Sequence, residues 1–112
     1  MLKFLIIFVI SLFPTALVAE SYTFAIVPQH AASKIFRQWQ PVITLLSQKT
    51  GKKFEIVTSK DIPAFESELE KGNYDFAYMN PYHFTVFNNN GYRAIAKQKG
   101  KLIKGIIVVK KY

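Results

Sequence analysis

The sequence predicts an α/β protein, a single three-layer α/β/α lobe built on a mostly parallel sheet. Three observations carry this. Short runs rich in β-branched and aromatic residues alternate with segments whose apolar residues recur at helical spacing. The early runs each end in a polar loop that opens the next helix. Connections long enough to hold a helix between strands favour parallel pairing, with helices covering both faces.

The first predicted strand covers residues 22–27 and ends at Pro28, which has no N–H to give a central ladder. Gln29, His30 and Ser33 follow as a polar loop. From Ser33 the spacing is helical: Ile35, Trp39, Val42 and Leu46 share one face, with Phe36 and Ile43 beside it. Trp39 reads as a core residue on that face. Pro41 is expected to kink or restart the helix, because it lacks an N–H and crowds the preceding turn. Gly51 after Thr50 is placed to end it in a left-handed cap.

Residues 54–57 form the second predicted strand, followed by a polar loop of Thr58, Ser59, Lys60 and Asp61. Asp61 reads as an N-cap, with Pro63 in the first turn, Ile62, Phe65 and Leu69 on the apolar face, and Gly72 as the stop. Residues 75–79 are the third strand and run straight into a helix over residues 80–90. There Asn80 is the cap, Pro81 lies in the first turn, Phe84, Val86 and Phe87 give a core face, and Gly91 ends it. Residues 92–96 read as a fourth strand, 97–101 as a basic turn and 102–109 as a fifth strand with Gly105 at a bulge.

The chain of 112 residues is one domain at most, half apolar and one-fifth charged. Residues 1–19 stand apart. Lys3 supplies a basic start, the run from Phe4 to Phe13 is apolar except for Ser11, and Pro14 precedes an Ala-Leu-Val-Ala cleavage site. This is the pattern of a signal peptide, with an uncleaved anchor as the competitor, and both put residues 20–112 outside the cytoplasm. The absence of cysteine excludes disulfides, thiolate metal sites and a lipid-modified cysteine, so a soluble periplasmic form is expected. Without Lys3 the chain keeps 14 basic against 7 acidic residues. Export argues against nucleic acid as the partner of this excess, and the carboxy-terminal lysines read as a solvated face.

Ligands of open α/β sheets bind beyond the carboxyl ends of the strands. Three loops qualify: the one holding Gln29, the one holding Ser59, Lys60 and Asp61, and the corner of Tyr78, Asn80, Tyr82 and His83. Each is expected to offer backbone N–H groups at a helix start, and an anion suits such a place. Lys60 would add a positive charge, and Ser59, Tyr78, Tyr82 and His83 directional hydrogen bonds. Tyr78 fits a core aromatic as well as a ligand contact, Asn80 and Asp61 fit caps, and His83 fits an exposed first-turn residue. There is no nucleophile elbow, Gly-rich phosphate loop or pair of histidines at metal spacing. A binding module without catalytic residues, metal or cofactor is the expectation.

Several stretches carry a family resemblance: Ala25-Ile26-Val27-Pro28-Gln29, Trp39-Gln40-Pro41-Val42, Lys49-Thr50-Gly51, Ser59-Lys60-Asp61-Ile62-Pro63, the run from Gly72 to His83, and Gly105-Ile106-Ile107-Val108-Val109. In this order they resemble the amino-terminal part of the phosphate/phosphite/phosphonate-binding proteins of ABC transporters, the PhnD-like branch with a type II periplasmic-binding-protein fold. The resemblance implies a two-lobed clamp around a small oxyanion that docks on an inner-membrane permease. It implies ligand contacts at Gln29, around Lys60 and Asp61, and from Tyr78 to His83. Phosphonate binders of the family often carry a tyrosine after the loop aspartate, where this chain has Ile62. Family members are much longer, so the resemblance implies a truncated chain whose second lobe is missing. The expected function is non-catalytic capture of phosphonate, phosphite or phosphate. The alternatives are a ligand-sensing or interaction module for a membrane receptor, and a gene fragment without function.

Overall fold

The computed structural model describes residues 19–100 together with 106, 108, 110 and 111. The predicted leader, apart from its last residue, and most of the predicted fifth strand lie outside the described residues. Three strands, β1 (Ser21–Ile26), β2 (Lys53–Val57) and β3 (Phe76–Tyr78), form one sheet in the order β2-β1-β3. Both pairings are parallel. The helices are α1 (Ala32–Thr50), α2 (Ile62–Glu70) and α3 (Pro81–Phe87), the last followed by a 3₁₀ turn, Asn88–Asn90. The expected α/β lobe with a parallel sheet is therefore present.

Side chains alternate across the sheet, and this separates two apolar layers. Phe24 faces α1, with its ring 5.7 Å from that of Trp39, and Phe76 and Tyr78 share this face. Ile35 and Ile43, each one turn from Trp39 on α1, are buried. The odd positions of β1 look the other way: Ala25, with Val27 just beyond the strand, joins Phe65 and Leu69 of α2 in the buried core, flanked by Ala77, Met79 and Phe87. Helix α1 thus covers one face, and α2 with α3 the other.

Local chemistry fixes the ends of these elements. Gly51 takes a left-handed φ of 68° and donates its N–H to Ser47 O at 2.9 Å, closing α1 where a side chain would be strained. Asp61 Oδ1 accepts from Ala64 N–H at 2.8 Å and starts α2. Beside β1, the Asp75 carboxylate accepts from Thr23 N–H and Thr23 Oγ1–H, while Asp75 N–H donates to Thr23 Oγ1. This reciprocal clasp sets the register in which Phe24 lies opposite Phe76.

Two expectations are corrected. Of the kink or restart expected at Pro41, the restart does not occur, because α1 continues as a single helix to Thr50. The missing N–H falls on an exposed stretch, and the flanking turns are held to the sheet by Ile35, Trp39 and Ile43. Residues 92–96 form no strand. Only Tyr92 of this segment is half-buried, with its hydroxyl 3.4 Å from Tyr74 N, and Arg93 to Ala96 are exposed. One anchored side chain does not supply the second apolar contact needed to fix a ladder.

Candidate ligand-binding cleft

Parallel strands all end at one edge of the sheet, and the loops after β1, β2 and β3 leave from it together. The β1 loop lies between the other two. Val27 N–H continues the ladder to Tyr78 O at 3.0 Å, and Thr58 Oγ1 donates to Ile26 O at 3.1 Å, tying the second loop to the central strand. A cleft of about 380 Å³ opens there on the α1 side. Ile26 and Val27 contribute its floor, Ile35, Gln38 and Trp39 the wall from α1, Tyr78 the end of β3, and Gln29, His30 and Gln98 the remaining polar lining. A larger, open depression near Glu20, Ser47 and Lys53 lies at the opposite end of the strands, away from all three loops.

At the cleft Gln29 Nε2 donates to Asn80 Oδ1 at 3.1 Å, joining residues 51 positions apart. Tyr78 keeps 41% of its surface exposed, and its ring centre lies 4.5 Å from that of Trp39. Of the expected site residues these three are brought together.

The others are disposed differently. Ser59 shares a hydrogen bond with the Tyr74 hydroxyl at 2.9 Å, and Asp61 is engaged as the cap of α2. Lys60 is exposed and has no ion-pair partner among the described residues. Two strand spacings separate its loop from the β3 corner, about 10 Å at the sheet edge. Tyr82 is 65% exposed. His83, in contrast, is only 2% exposed. Its Nδ1 accepts from Asn80 N–H at 3.3 Å and its Nε2 lies 3.2 Å from Glu66 Oε1, so the side chain faces inward rather than into solvent.

The sequence model of a family described as "ABC transporter, phosphonate, periplasmic substrate-binding protein" matches residues 24–112. The chain belongs to this family. A curated relative, the "Phosphate-import protein PhnD" of Mycolicibacterium smegmatis, is 29% identical over 86 residues, an alignment that covers 72% of this chain. The chain spans 27% of that relative's length.

The cleft's composition is only partly legible in the sequence. Gln29, Tyr78 and Asn80 stood out because each sits at or just after a strand end. Trp39, read as a core residue, is half-buried and lines the cleft. Gln38, next to it on α1, and Gln98, far along the chain, carry no local signal that would place them here. Glu66, the partner of His83, is likewise found only through the packing of α2 on α3.

Proposed function

We propose that this chain carries one wall of a periplasmic oxyanion-binding site of the phosphonate/phosphate type, serving capture and delivery to an inner-membrane ABC permease without catalysis. The observation that supports this most is the bond from the cleft-lining Gln29 to Asn80, in a chain of the phosphonate-binding family. With its Oδ1 taken by Gln29, Asn80 has two amide N–H groups left to donate, and Tyr78, a half-exposed residue, adds a hydroxyl. Neutral donors of this kind suit an anion that must enter and leave. The seven-residue α3 contributes little dipole, so the side chains carry this reading. Lys60 supplies long-range attraction from the neighbouring loop instead of a direct bond.

A small anion needs donors on all sides to replace its hydration shell. One wall alone therefore holds it weakly, at a Kd of about 1 mM or above. Calorimetry with phosphate, phosphite and methylphosphonate tests this reading. Gln29→Ala and Asn80→Ala should each weaken binding by about tenfold, the effect of one lost charge-assisted hydrogen bond. Unchanged affinity in both variants would place the ligand elsewhere, and a micromolar Kd for the wild-type chain would contradict the one-wall view.

A further inference from the structure

The α1 side of the cleft is aromatic and carries no acid. Trp39 is half-buried and lines it, and its ring centre lies 4.5 Å from that of Tyr78, which keeps 41% of its surface exposed. Phe24 of β1 meets the same indole from the sheet at 5.7 Å. Two neighbouring rings fix the indole in advance, so contact with a ligand costs it little further ordering. The polar part of the lining is made of amides, Gln29, Gln38 and Gln98, with His30 beside them. All seven acidic residues of the chain lie among the described residues, and none lines the cleft. Basic residues instead flank two of the glutamines in sequence: exposed Arg37 precedes Gln38, and exposed Lys97 and Lys99 stand on either side of Gln98.

Tyr78 belongs both to this aromatic pair and to the corner assigned above to the oxyanion. The cleft of about 380 Å³ also falls in the range of about 300–1,000 Å³ that takes organic ligands. We infer that Trp39 is a specificity-determining residue: with Tyr78 it forms a subsite for an uncharged organic substituent carried by the anion. Alkyl- and arylphosphonates are then preferred over inorganic phosphate and over phosphonates that bear an ammonium. This inference rests on the oxyanion reading and adds to it the chemical class of the substituent. An apolar group laid against the two rings leaves water on contact, which favours binding. An ammonium finds no carboxylate in this cleft to replace its water, and a ring face attracts a cation only weakly where solvent reaches it. Inorganic phosphate leaves the aromatic wall uncovered and gains nothing from it.

The test titrates the whole chain with phosphate, methyl-, propyl-, phenyl- and 2-aminoethylphosphonate, followed by NMR at the Gln29 and Asn80 amides. Phenylphosphonate should bind about tenfold more tightly than methylphosphonate and propylphosphonate about fourfold, the gain from half-burying the added carbons. 2-Aminoethylphosphonate, with an ammonium in place of the terminal methyl of propylphosphonate, should lose that gain. Trp39 is the one tryptophan of the chain, so its signals are read without mutation. Its emission should shift to the blue with propylphosphonate and stay in place with phosphate. Saturating its ring protons should transfer to the phenyl protons of phenylphosphonate. W39A should bring the ratio of phenyl- to methylphosphonate affinity to about one, and W39F should keep most of it; a general loss of structure does not produce that pair of ratios. Equal wild-type affinities for phenyl- and methylphosphonate, tighter binding of 2-aminoethyl- than of propylphosphonate, or no transfer from Trp39 would overturn the subsite. If phosphate and methylphosphonate still move the Gln29 and Asn80 amides in that case, the oxyanion reading stands and only the subsite fails. No response at those amides to any of the five compounds would overturn both.

Discussion

Asp61 illustrates how much a single residue declares in advance. An acid directly before an Ile-Pro pair and an apolar helical stripe reads as a cap, and its carboxylate accepts from Ala64 N–H at 2.8 Å. Asp61→Ala should cost about 1 kcal/mol in urea denaturation, the usual loss of such a cap. Glu68 makes the corresponding acid-side statement. Hydrogen bonds from Asn73 Nδ2 at 2.7 Å and Lys71 Nζ at 2.9 Å hold its carboxyl below the ordinary range. A value lower in the folded than in the unfolded chain gives stability that is present above about pH 4.3. That stability is lost as pH falls through the folded value, so acid unfolding monitored by circular dichroism should be shallower in Glu68→Gln. Caps were legible because they are local. The fates of Ser59 and His83 were not, because Tyr74 and Glu66, which engage them, arrive from other elements.

At the scale of elements, burial rather than propensity decides what forms. Phe65 is fully buried and stacks on Tyr74 with ring centres 5.5 Å apart, so it joins α2 both to the sheet and to the approach to β3. Phe65→Ala should destabilise the chain by about 3–5 kcal/mol, read from the denaturation midpoint at constant slope. The three strands and three helices were readable within one or two residues at most of their ends, since each has apolar residues at its own period. The two departures have one cause. Pro41 reads locally as a kink or a restart, but apolar residues on both sides bind α1 to the sheet without a restart. Residues 92–96 read locally as a strand, but only Tyr92 is anchored.

For the whole molecule, the order β2-β1-β3 puts the β1 loop between the other two and brings all three expected loops to one edge. The alternation of strands and helices foretold that much, because parallel strands share a carboxyl end. It did not foretell which face of the edge would open into a cleft. Trp39 settles that by standing beside Tyr78 on the α1 side, while Ser59 and His83 are turned toward the α2 and α3 layer. The proposed oxyanion contact lies at the Gln29, Tyr78 and Asn80 corner. A residue-resolved NMR titration of the chain with methylphosphonate and with inorganic phosphate, carried to about 20 mM so that a millimolar site fills, tests it most directly. Saturable shifts are expected, concentrated at the amides of Gln29, Tyr78 and Asn80, with smaller ones at Lys60. Shifts confined to the depression near Glu20 and Lys53, or none at the corner at full concentration, would contradict it.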